Sequence, residues 1–200
     1  IIVNDLSFSY DTVYDMIFEN VSFQIDTDWR LGFIGRNGRG KTTFLNLLMG
    51  KYEYRGSITA SVGFDYFPFE VDHEDRLTMD LIKDIIAPFR EWEKEMEECL
   101  TGNRQDTSYH MDRYGELQEL YQKHDGYIIE ELIEKELGKL RVDLSVLRRS
   151  FSTLSFGERT KLMLAALFLK KNNFLLIDEP TNHLDMEGRD LLADYLKTKE

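Results

Sequence analysis

The stretch "GRNGRGKT", residues 35–42, restricts the possible folds of this chain more than any other segment. It fits the pattern G-x-x-x-x-G-K-[ST], which has meaning only between a strand and a helix. Both contexts are expected: "WRLGFI" reads as a short apolar strand, and Thr42 to Met49 carry helical apolar spacing with Gly50 as the stop. Glycines at Gly35, Gly38 and Gly40 let backbone N–H groups approach phosphate oxygens without Cβ crowding, and a helix start favours an anion. Arg36, Asn37 and Arg39 complete the loop. Lys41 can reach the β and γ phosphates, and Thr42 can place its hydroxyl on Mg²⁺. Thr43 reads as the next helix residue. The alternative is a glycine turn with no ligand.

Around this loop the texture is mixed. "IIVNDLSFSY" and "MIFENVSFQI" read as strands with polar turns between them, and "GSITASVGFDYFPFE" as further strand ending near Pro68. From Arg76 onward helices take over. "RLTMDLIKDIIAPFREWEKEMEECL" is expected to break or restart near Pro88, "GNRQDTS" to be a flexible connection, and "YHMDRYGELQELYQKHDG" and "YIIEELIEKELGKL" to form two amphipathic helices parted at Asp125 and Gly126. "NNFLLIDEP" has the continuous apolar run of a central parallel strand covered on both faces. "MEGRDLLADYLKTKE" reads as a closing helix, with leucines at 191, 192 and 196. The sum is an α/β phosphate-loop NTPase fold with an antiparallel β portion and an inserted helical subdomain. We expect one nucleotide-binding domain, with 1–70 and 158–200 as the ATPase core and 71–157 as the helical part.

A phosphate loop calls for a magnesium carboxylate, and the strand "FLLIDE" delivers two acids to its end. Asp178 is expected to hold the ion and Glu179 to orient and deprotonate an attacking water. Upstream, "FSTLSFGERTK" interrupts an apolar stretch just before a long helix. Ser155 followed by Glu158 is a capping box, and the same unpaired N–H groups make an anion site. The two roles are physically compatible.

Charge narrows the choice of partners. The net charge is −12, yet residues 70–137 hold 20 Asp or Glu against 8 Lys or Arg, while the rest of the chain has 17 of each. The whole imbalance therefore lies in the helical segment, which would repel nucleic-acid phosphates or seek a basic surface, or else is a solvated helical face. A single cysteine, Cys99, excludes an internal disulfide. No apolar run approaches the roughly 20 residues that cross a bilayer, so a cytoplasmic location is expected. His73, His110 and His124 read as surface residues of the helical part, with no zinc spacing between them.

"GRNGRGKTT", "LSFGE", "LLIDEP" and "TNHLD", in that order, resemble the nucleotide-binding domain of ATP-binding cassette proteins. The resemblance implies ATP with Mg²⁺, bound by the loop from Gly35 through Thr43, by Thr42 and Asp178 as metal ligands, and by Tyr10 as the ring that stacks on adenine. Tyr14 lies close enough to compete for that stacking role. It further implies that Leu154, Ser155, Phe156, Gly157 and Glu158, a signature with Phe156 at the usual first glycine, contact the ATP of a partner cassette. Phe69 stands where the family has glutamine near the metal and cannot coordinate one; Glu70 is adjacent. His183 lies in the tight loop with Asp185 and is not the family's switch histidine, which the resemblance places on a later strand; no histidine follows position 183.

"DEPTNHLD" is similar to the soluble tandem-cassette proteins called ABC-F, which act on ribosomes. "LSFSY", "YFPFE" and "FSTLSFGERTK" look more like the antibiotic-resistance members that protect ribosomes. This resemblance implies the first of two cassettes, truncated before the switch histidine, with a second cassette of the same polypeptide and the ribosome as partners and no stable membrane partner. An isolated piece is expected to hydrolyse ATP weakly or not at all. The rival expectations are the ATPase subunit of a membrane transporter and a DNA-acting ATP clamp; the insertion, broken at Pro88 and Gly102, is too short for the long coiled coil of the latter.

Overall fold

The computed structural model describes residues 1–10, 15–101, 107–171 and 173–199. Tyr14 and the centre of the expected "GNRQDTS" connection lie outside the described residues. The chain divides into two compact units, Ile1–Phe67 with Asn172–Asp178, and Pro68–Lys171 with Glu179–Glu200.

In the strand unit, β1 (Ile2–Phe8) lies between β2 (Phe18–Gln24) and β3 (Arg55–Thr59), antiparallel to both. β1 buries Val3, Leu6 and Phe8, and α1 (Lys41–Leu48) contributes Phe44, Leu47 and Leu48 to the same cluster. Removing each such side chain from water is worth about 1.5–3 kcal/mol. β4 (Gly63–Phe67) pairs in parallel with β5 (Asn173–Ile177), from Gly63 opposite Asn173 to Phe67 opposite Ile177. Leu176 of β5 joins the β1 and α1 cluster.

Two strand expectations need correction. Residues 29–34 form no strand: Trp29, Leu31 and Phe33 are exposed, and Ile34 is 93% exposed. An apolar run becomes a parallel strand only when neighbours take up its N–H and C=O groups, and among the described residues β5 pairs with β4 alone. Phe33 instead sets its ring edge-on to Phe44, 5.5 Å between centroids. For the same reason β5 is not covered on both faces. Only Leu176 within it is buried.

Gly56 tightens the β1–β3 pair. Its φ is 95°, and a Cβ there would meet the carbonyl oxygens of Asn4 and Asp5 at 2.4 and 2.5 Å. Backbone atoms cannot swing aside as a side-chain tip can.

The helical unit begins with α2 (Thr78–Ile86), which stops before Pro88, and α3 (Phe89–Thr101), which restarts after it. The missing proline N–H makes this a natural break. α4 (Thr107–Lys123) runs to the turn where Asp125 takes a φ of 58°. α5 (Ile129–Lys139) buries Ile133 and Leu137, and α6 (Phe156–Leu169) buries an unbroken run from Leu162 to Leu167. That run makes α6 the central helix, packed on α2 and α5. α7 (Met186–Lys197) buries Leu192 and Tyr195. α6 and α7 thus group with the helices in the second compact unit. α6 packs on α2 and α5, and Tyr195 of α7 stands edge-on to Phe168 of α6.

His124 is not a plain surface residue. Its ring lies 5.3 Å from Trp92, its Nδ1 is buried with no hydrogen-bond partner, and burial, with Lys171 and Lys123 nearby, pushes its pKa down.

Glu136 is the buried charge among the described residues of this unit, 7% exposed. It accepts from Tyr195 Oη at 2.6 Å, from Lys139 Nζ at 2.7 Å and from Lys199 Nζ. Burial pushes its carboxyl up, but these three donors prevail and hold it at about 2. Burial meanwhile pushes Lys199 down, against the pull of Glu136. Three donors converge on the carboxylate, which keeps its charge.

A carboxyl depressed in the folded state contributes stability above its unfolded value, and that contribution drains away as pH falls through the folded one. The stability difference between wild type and Glu136→Gln should therefore be full at pH 6, shrink below about 4.5 and be lost near 2. Urea unfolding across that range measures it. Gly56→Ala should lower stability by about 2–3 kcal/mol in the same assay.

Candidate functional site

The phosphate loop is shaped by its glycines and closed by its lysine. Gly40 caps α1 at φ 85°, and a Cβ there would lie 2.7 Å from Ile17 Cγ2 and 3.1 Å from Phe18 Cζ, so both conformation and space demand glycine. Gly38 is also left-handed, at φ 78°. No side chain caps α1, so its first N–H groups face outward from a glycine. Lys41 Nζ donates to the carbonyls of Gly35 at 2.7 Å and Arg36 at 3.3 Å, curling the loop back over the helix start. Arg36, Asn37, Gly38 and Arg39 stand exposed.

β5 brings Asp178 to this helix start. Its N–H donates to Phe67 O at 2.8 Å, extending the strand pairing by one bond. Its Oδ2 accepts from Thr42 Oγ1 at 2.5 Å and from Tyr66 Oη at 3.0 Å. A hydroxyl and a carboxylate in contact beside a phosphate loop are the hard oxygen donors Mg²⁺ prefers, with phosphate oxygens and water supplying the rest. These residues fit the metal. Tyr66 was missed in the sequence reading; only the β4–β5 register, which sets it opposite Leu176, puts its hydroxyl within reach.

Thr43 is buried and shares a 2.9 Å hydrogen bond with Tyr10 Oη. Tyr10 stands edge-on to Phe8 and Tyr52, at 5.0 and 5.6 Å. Thr43 thus anchors Tyr10, the ring expected to meet adenine, to α1, a link that spacing alone did not disclose.

The remaining motifs lie in the helical unit. Ser155 caps α6 through a reciprocal box: Glu158 N–H donates to Ser155 Oγ at 3.2 Å, and Glu158 Oε2 accepts from Ser155 N–H at 2.7 Å and Oγ at 2.8 Å. Those bonds, the backbone one foremost, hold the Glu158 carboxyl below the usual range. Leu154 is buried, while Phe156 is 69% exposed and lies over the His183 ring at 5.4 Å. A Cβ on Gly157 would meet Leu184 and the His183 carbonyl at 3.5 and 3.6 Å. The signature and the "TNHLD" loop are therefore neighbours. Asp185 caps α7 by accepting from Gly188 N–H at 2.8 Å.

Glu179 is exposed, left-handed at φ 47°, and accepts from Asn182 Nδ2 at 2.8 Å. Phe69 is half-buried and Glu70 exposed. Among the described residues no group of three or more His, Cys, Asp or Glu side chains is gathered as a metal cluster.

This geometry accords with the comparisons. The family model described as ABC transporter matches residues 18–182. The chain belongs to that family and is an ATPase domain of the ATP-binding cassette type. Among relatives, it is 32% identical to the uncharacterized ABC transporter ATP-binding protein YfmM of Bacillus subtilis, over 99% of this chain and 39% of that protein. It is 31% identical to the tylosin resistance ATP-binding protein TlrC of Streptomyces fradiae, over 90% of this chain and 35% of that protein. It is 29% identical to the energy-dependent translational throttle protein EttA of Escherichia coli K12, over 90% of this chain and 33% of that protein. The chain spans between a third and two-fifths of the length of these relatives.

Lys41→Ala should weaken Mg-ATP binding at least about tenfold, since a charged contact to phosphate is lost. Its present partners are exposed loop carbonyls, so the unfolding midpoint should stay put. Titration with a fluorescent ATP analogue, paired with thermal unfolding, checks both.

Proposed function

We propose that this chain is one ATP-binding and ATP-hydrolysing cassette of a tandem-cassette, cytoplasmic protein that acts on the ribosome, in translation or in displacing antibiotics. The observation that carries the nucleotide part is the contact of Thr42 with Asp178 beside the loop closed by Lys41. In this reading ATP phosphates sit on the N–H groups from Gly35 to Thr43, Thr42 and Asp178 hold Mg²⁺, and Tyr10 meets the adenine. Glu179 takes the proton of the attacking water. The segment Leu154, Ser155, Phe156, Gly157 and Glu158 faces the γ phosphate of ATP held by the second cassette. Closure then grips two nucleotides, and loss of a γ phosphate removes the attraction across the join.

The ribosomal part is supported by "DEPTNHLD" and by relatives named for translation and for tylosin resistance. The acidic helical segment suits a basic ribosomal protein better than ribosomal RNA phosphates. The second reading, an ATPase subunit of a membrane transporter, is supported by the family's description. Among the described residues no helix is long and apolar enough to cross a membrane.

Sedimentation decides between them. Intact protein carrying Glu179→Gln should bind ATP, hydrolyse it at least about a hundredfold more slowly and pellet with ribosomes only when ATP is present. Pelleting with membranes instead, or wild-type hydrolysis in the variant, overturns the proposal.

A further inference from the structure

We infer that Asn182 is a positioning residue for Glu179, setting its carboxylate for ATP hydrolysis; this rests on the reading of Glu179 as the base. Glu179 lies two residues beyond the end of β5, at φ 47° and immediately before Pro180. Residues with a Cβ rarely adopt that φ, and a residue preceding proline prefers extended backbone. Such a conformation persists where its surroundings over-determine it.

Asn182 supplies two of the restraints. Its backbone N–H donates to Glu179 O at 3.3 Å, closing a four-residue turn with Pro180 second, where proline's fixed φ belongs. Its side-chain Nδ2 donates to Glu179 Oε2 at 2.8 Å. One bond fixes the main chain and the other the carboxylate, both from one residue. The turn is steadied further where Leu184 N–H donates to Thr181 O at 3.2 Å.

The chemistry suits the task. A base must stand within hydrogen-bond reach of the proton it takes, and displacement by an ångström costs about a hundredfold in rate. Both side chains are exposed, so without a tether the glutamate would sample several rotamers. A neutral amide restrains one carboxylate oxygen without the full charge of a lysine, which would weaken the base. The second oxygen is left to accept a proton from water.

The test is a mutant cycle on the intact protein, with steady-state and single-turnover ATP hydrolysis as readouts. Asn182→Ala should lower kcat about tenfold with the KM for ATP unchanged. Asn182→Asp keeps the size and turn-forming character of asparagine but replaces the donor with a like charge, so it should lose at least as much. In a Glu179→Gln background, Asn182→Ala should add no further loss, because its effect passes through Glu179. Wild-type kcat in both Asn182 variants, or a loss that multiplies undiminished in the Glu179→Gln background, overturns the inference while leaving Glu179 as the base. Should Glu179→Gln itself hydrolyse ATP normally, both readings fall together.

Discussion

Thr42 and Asp178 are 136 residues apart in sequence, and their side chains meet at 2.5 Å. Much of the strand unit serves that meeting. The parallel register of β4 and β5 decides where Asp178 emerges, and the bond from its N–H to Phe67 O fixes the peptide one step past the last paired residue. Gly40 lets α1 begin close against Ile17 and Phe18, which fixes where Thr42 stands. A shift of β5 by one residue would exchange Asp178 for its neighbour and turn every β5 side chain to the opposite face.

The helical unit is built on a different principle. Its central helix, α6, is apolar nearly all round, so α2 and α5 can pack against it without a narrow seam. Specificity comes instead from polar fixtures. Glu136 gathers Lys139, Tyr195 and Lys199, tying α7 to α5, and a carboxylate so enclosed is costly to leave without its donors. At the exposed end, Phe156 and His183 share a ring contact where the family has a glycine with no side chain. That contact brings the signature and the "TNHLD" loop together through the Phe156 side chain.

Legibility in the sequence followed the range of the interactions. Motifs whose chemistry is local could be read directly: the glycine turn, the capping box of Ser155 and Glu158, the break at Pro88 and the stop at Gly50. Features that depend on register or on a distant partner could not. Tyr66 reaches Asp178 only because two strands pair in one frame, and Thr43 anchors Tyr10 from 33 residues away. The same limit explains the misread strand at 29–34, where apolar texture was present but ladder partners were not. His124 escaped for want of any sign that Trp92 would lie against it.

Ser155 has one hydroxyl proton, and in this fold it is committed to Glu158. A single proton serves a single acceptor well, so any outside anion that recruits it evicts the resident carboxylate from half its cradle. The Ser155 N–H bond to Glu158 Oε2 stays in place meanwhile, so the cap and an outside anion coexist. Turning the hydroxyl outward would trade one of the two bonds on Glu158 Oε2 for a bond to the anion, leaving the other to hold the α6 cap.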